Sequence, residues 1–162
     1  YTPLNNSEKY TLVLMGRADF GLLGSYNKYK QTPFETFHVG GDGMTGSYTY
    51  ATETIGLRGY DNGALTPYSD GRAYTRFSME LHFPFLLQPS STIYGLAFVE
   101  GGNAWTSLEN FNPFSLKRSA GVGVRIFLPM IGLMGIDWAY GFDKVQGEKG
   151  GGHFHFILGQ EF

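Results

Sequence analysis

The sequence contains no cysteine among its 162 residues. That excludes a disulfide framework, a thiol nucleophile and any zinc or iron–sulfur site built on thiolates. Charge is scarce as well: Asp, Glu, Lys and Arg make up 16% of the chain, against about 25% in a soluble domain. The formal net charge of −2 excludes a nucleic-acid binder that works by bulk positive charge, and there is no polybasic signal for a membrane surface. Long apolar runs are missing. The most apolar stretch, residues 126–136, is broken by Pro129, Gly132 and Gly135 and bounded by Arg125 and Asp137, well short of the roughly 20 residues a membrane helix needs. Hydrolase elbows, P-loops and His-Glu-x-x-His motifs are absent, and the glycine runs lack the strand–helix setting of a phosphate loop. The residues thus point to no enzyme, no catalytic residue, no cofactor and no metal. The opening Tyr1-Thr2-Pro3 carries neither Met nor a leader, so the expectation is a piece of a longer protein.

Glycine and aromatic residues are abundant. The 24 glycines among 162 residues are roughly 15%, about double the usual share, and aromatics reach 17% in a chain that is 42% hydrophobic. Helical periodicity is hard to find, whereas period-two alternation recurs. It marks seven candidate strands, at residues 10–22, 34–39, 73–83, 92–101, 119–128, 134–142 and 153–158. After the second, short and long connections alternate, as in an up-and-down sheet with one smooth end and one looped end. A soluble sandwich also alternates. Two features favour a membrane barrel. The apolar faces carry aromatics near their ends (Tyr10, Phe20, Phe83, Trp138, Tyr140, Phe142), as interfacial girdles do. The opposite faces hold small residues and isolated charges (Gly121, Gly123, Gly135, Ala139, Gly141), which suits a lumen that accommodates something bulky.

Motifs in a fixed order narrow this further. Residues 34–41 read Phe-Glu-Thr-Phe-His-Val-Gly-Gly, followed by Leu57-Arg58-Gly59-Tyr60, Ser78-Met79-Glu80-Leu81, and Phe98-Val99-Glu100-Gly101-Gly102-Asn103-Ala104-Trp105. The aromatic end carries Phe154, Phe156, Leu158, Gly159 and Phe162. In that order they resemble the C-terminal half of an Omp85-superfamily barrel, nearest to the BamA-like assembly factors, over nearly the whole chain. The resemblance implies an all-β fold, a transmembrane antiparallel up-and-down β-barrel of which residues 1–162 are about seven C-terminal strands out of sixteen. It implies that residues 40–71 form a long outer loop folding into the lumen, with Arg58 set against wall acids that by position are Glu80 and Glu100. The family more often has Asp at the second of these. The residue chemistry agrees: Glu80 shares parity with Arg76 and His82 on the polar face, and a planar guanidinium grips carboxylates in bidentate fashion.

The resemblance further implies the outer membrane of a diderm bacterium and non-covalent assembly of other barrels. The implied partners are nascent outer-membrane β-barrel substrates, the lipid bilayer with lipopolysaccharide, and accessory outer-membrane lipoproteins. The remaining barrel strands and periplasmic domains would lie elsewhere, and nucleic acid is not among the partners. The terminal strand would close the barrel through a weak seam. A two-partner-secretion transporter of the same superfamily, a barrel anchoring an upstream patatin-like enzyme, and a soluble sandwich module remain open. His153 and His155 share a strand face, where a lumen-facing pair outweighs a chelate without a third ligand.

Overall fold

A computed structural model describes residues 2–4, 11–24, 35–43, 52–66, 68, 70–88, 91–130, 132–145 and 151–159. Seven strands form one antiparallel sheet: β1 (Thr2–Pro3), β2 (Val13–Leu22), β5 (Ala73–Gln88), β6 (Ser91–Trp105), β7 (Lys117–Leu128), β8 (Gly132–Gly141) and β9 (Gly152–Leu158), in that spatial order. From β5 onward each strand pairs with the next in sequence, the up-and-down order of a partial β-barrel; the sheet is not closed. Two hairpins are tight, with Gln88 opposite Ser91 and Leu128 opposite Gly132. At the other end the connections are long. That between β6 and β7 holds a short 3-10 turn, Leu108–Asn110, capped by the Ser107 hydroxyl, which accepts from the Glu109 N–H at 3.3 Å.

The pleat sends alternate side chains to opposite faces. One face is apolar and open: Met79, Val99, Val122, Ile136, Trp138, Phe154 and Phe156 are all exposed large hydrophobics. The other, termed the inner face, buries Ser78, Glu80, Glu100, Ser119, Arg125, Asp137 and His155. That is the reverse of a water-soluble sheet, which turns its polar side to solvent. No helix among the described residues is long and apolar enough to cross a membrane.

One expected wall strand lies elsewhere. The chain leaves the sheet after Leu22 and returns at Ala73, and within this excursion β3 (Thr36–Val39) pairs in parallel with β4 (Thr52–Ile55). The described part of the expected 34–39 strand, Thr36–Val39, is therefore no part of the wall, and the seventh wall strand is the short β1. The burial explains why: Thr36, Phe37 and Val39 are all buried, so the run does not alternate between two environments as a wall strand must. Phe37 stacks edge-on against Tyr74 at 4.6 Å between ring centroids. With Val39 it makes a core joined by Leu23, Ile55, Leu65 and Ala104. A second core, Leu96, Phe98 and Ala139, lies on the inner face beneath Tyr94. Phe34 and Tyr10 lie outside the described residues.

Candidate functional site

The excursion brings its Leu57-Arg58-Gly59-Tyr60 segment down onto the inner face. The Leu57 N–H donates to the Gly41 carbonyl at 3.0 Å, and the Leu57 side chain is fully buried against Gly102. Gly59 adopts φ +89°, and a Cβ there would lie 2.8 Å from the Ser119 Cβ and 3.1 Å from the Gly141 nitrogen. Only glycine lets the backbone pass this close in a left-handed conformation.

Arg58 then meets three carboxylates from three strands. Its Nε and Nη2 donate to Oε1 of Glu100 at 3.1 and 2.7 Å, and its backbone N–H donates to Oε2 at 2.9 Å. Nη1 donates to Oδ2 of Asp137 at 3.0 Å, and Nη2 to Oε1 of Glu80. The guanidinium carbon sits 3.6 Å from the centroid of the Phe98 ring, a cation–π contact. Two further arginines complete the set. Arg76 Nη2 donates to Glu100 Oε1 at 2.9 Å, and Arg125 grips both oxygens of Asp137, with Nη2 at 2.8 Å from Oδ2. The Ser78 hydroxyl adds a hydrogen bond to Glu100 at 3.2 Å, and His82 Nε2 lies 2.8 Å from Glu80 Oε2.

Three arginines against three acids (+3 − 3 = 0) make a neutral cluster. The side chains of Glu100 and Asp137 have no exposed surface and that of Arg58 only 5%. Neutrality matters here, because an unpaired charge in such a site is penalised by several kcal/mol. Burial works against the charge on Arg58, but Glu100, then Glu80 and Asp137, outweigh it and raise its pKa above the ordinary value. It stays protonated at all accessible pH.

The glycines of the wall make room for this cluster. Gly123 is paired across from Asp137, Gly135 from Arg125, and Gly121 from Phe98, and a Cβ at any of the three would collide with that neighbour's side chain. Small residues on the inner face are thus the cross-strand complements of large ones.

The rest of the motif is fixed at the looped end and on the last strand. The Tyr60 hydroxyl donates to the Arg118 carbonyl at 2.7 Å and accepts from the Asp143 N–H at 3.4 Å. Burial pushes its pKa up, so it remains a phenol. Asp143 accepts from Arg118 three times, including the backbone N–H at 2.7 Å. The Gly59 N–H donates to His155 Nε2 at 3.0 Å, and Asp61 Oδ1 lies 3.2 Å from His153 Nδ1. On the outer side of β9, Phe154, Phe156 and Leu158 are exposed, and Gly159 follows at φ +114°. Phe162 lies outside the described residues.

A family model for the Omp85 superfamily domain matches residues 1–162. The chain belongs to the Omp85 superfamily. No curated protein matches it. Omp85 proteins are outer-membrane β-barrels concerned with protein insertion and transport, and are generally non-enzymatic.

In this Omp85 chain, Arg58 meets both Glu80 and Glu100. Asp137 and Arg125 join them without having been singled out, and Arg76 of the polar face, Phe98 of the quoted motif and His155, expected to face the lumen, lie beside them. A signal existed for the first two. Arg125 follows Ser119, Gly121 and Gly123 on its face, and Asp137 sits among Gly135, Ala139 and Gly141, isolated charges among small residues in strands whose other face is apolar. What the sequence lacks is the pairing register that sets both beside Arg58.

Proposed function

We propose that this chain is the C-terminal part of the barrel of a BamA-like assembly factor in the outer membrane of a diderm bacterium. In this reading residues 40–71 occupy the lumen, and Arg58 with Glu80 and Glu100, joined by Asp137, locks them to the wall. The apolar outer face meets lipid and lipopolysaccharide. The remaining strands and periplasmic domains belong to the full-length protein, and accessory lipoproteins act with it. No covalent step, metal or cofactor enters.

The observation that carries the assembly role is the short last strand. β9 has seven residues, against sixteen in β5 and fifteen in β6, and it is followed by a glycine in the left-handed region. A short strand forms a weak seam. Its backbone N–H and C=O groups can instead template an incoming strand, which would add by edge pairing. Phe154, Phe156 and Leu158 keep the lipid-facing pattern up to that edge. The locked excursion holds the remainder of the wall in shape while the seam exchanges partners.

The test uses the full-length protein in proteoliposomes. Two unrelated outer-membrane β-barrels are added unfolded in urea, and their folding is followed as the shift to the compact band on gels without boiling. Both are expected to fold at least several-fold faster than in empty liposomes. No acceleration of either, together with export of one dedicated partner protein, would replace this reading with the secretion-transporter one.

A further inference from the structure

The excursion also contacts the last strand, which supplies none of the acids that hold Arg58, although His155 lies directly across the ladder from Asp137. Arg58 is already fixed by acids on β5, β6 and β8. The next peptide reaches a fourth strand: the Gly59 N–H donates to His155 Nε2 at 3.0 Å. A backbone N–H can only donate, so Nε2 must present its lone pair, and any proton of the neutral ring sits on Nδ1. Two residues along, Asp61 reaches His153 at 3.2 Å. The two imidazoles stack on one another, 6.3 Å between centroids and 27° between planes. His155 is buried and so is its neighbour on the same face, Ile157.

These links complement the ladder. β9 pairs with β8 over seven residue pairs, from Met134↔Leu158 to Tyr140↔Gly152, and among the described residues it has no other strand neighbour. Its position is therefore set by β8 along one edge and by the excursion on its inner face. The Arg58 side chain in turn is anchored to three strands that do not include β9.

We propose that His155, with His153 beside it, is a positioning residue that couples the seating of the excursion to the last strand. When Arg58 is seated, Gly59 presents its N–H at a fixed place and His155 holds β9 against β8. When Arg58 is unseated, that hold is lost and β9 is free to separate and take a new partner. This rests on the assembly reading given above, for which β9 is the templating strand.

Hydrogen exchange with mass spectrometry on the full-length protein in lipid bilayers tests the coupling. His155→Phe keeps a flat ring and removes the acceptor; His155→Gln offers an amide oxygen near the place of Nε2. With His155→Phe, peptides covering residues 152–158 are expected to exchange about tenfold faster, the scale of one lost hydrogen bond in a local opening. Peptides from β5, β6 and β7 keep their wild-type rates, and His155→Gln restores protection of 152–158 to within about threefold. Unchanged exchange at 152–158 in His155→Phe would overturn the coupling. So would an equal rise across all wall strands, which is the mark of a merely structural residue. The same preparations run in the folding assay separate the two claims. A wild-type protein that fails to accelerate folding refutes the assembly role whatever its exchange pattern. A wild-type protein that accelerates, with His155→Phe unchanged in exchange, refutes the coupling alone.

Discussion

Arg58 is a single side chain that satisfies carboxylates on three strands, and its shape is what permits this. A planar fork with five N–H donors can face Glu100, Asp137 and Glu80 at once, whereas an ammonium is a compact point charge on a flexible stem. Replacing Arg58 by Ala leaves three acids facing only two arginines in a buried site. The expected loss is about 3–5 kcal/mol, the usual scale for breaking a buried ion pair from one side. Arg58→Lys keeps the charge but is expected to recover less than half of that. The temperature at which the full-length barrel loses its compact gel mobility measures both; equal midpoints for wild type and Arg58→Ala would show that the cluster does not hold the excursion. At this scale the sequence was partly legible. Arg58, Glu80 and Glu100 stand out through motif and parity. Asp137 and Arg125 escaped because their partnership depends on which residue faces which across a hairpin, and turn geometry decides that rather than composition.

The elements show where alternation is a trustworthy guide. The wall strands from β5 onward were legible because each has one face in an apolar setting and one in a polar setting, which stamps a period of two on the sequence. The 34–39 run misled because Thr36, Phe37 and Val39 are all buried and the strand ends at Gly40 and Gly41, both with positive φ. A short apolar run of that kind fits a wall strand or a packed piece of a connection equally well. The looped ends of β7 and β8 carry a pH prediction. Hydrogen bonds from Arg118 hold the Asp143 carboxyl below its ordinary range. A lowered folded-state pKa means that its contribution is complete above the ordinary Asp value of about 4 and fades as pH falls through the lowered one. The Arg118–Asp143–Tyr60 contacts are therefore expected to be intact from neutral pH to about pH 4 and to weaken only below that. Exchange of peptides containing residues 142–145 in the full-length protein, compared at pH 7 and below pH 4 after correction for intrinsic rates, reports it. Loosening already between pH 7 and 5 would contradict the assignment.

For the whole molecule the governing fact is the division into two faces, one apolar and exposed, one polar and buried. A sheet so arranged is complete only with lipid on one side and the excursion on the other. Position relative to the bilayer should then decide how a charge is tolerated. Ile136 lies mid-strand on the outer face of β8, whereas Phe142 follows its end. Ile136→Arg is expected to destabilise the full-length barrel in lipid by about 2–4 kcal/mol, and Phe142→Arg by about 1 or less. Urea titrations in phospholipid vesicles compare them; equal losses would argue against a membrane-spanning outer face.

The arginine cluster has a consequence for the order of folding. Arg58 precedes its acids by 22, 42 and 79 positions, and the Gly59–His155 bond spans 96. Arg58 and Gly59 are therefore made before any of these partners. A slip of one residue in any of three strands turns its acid to the opposite face and leaves the guanidinium short of a partner. The cluster closes only on a wall whose strands are all in register, so it acts as a gauge that the barrel reads against itself.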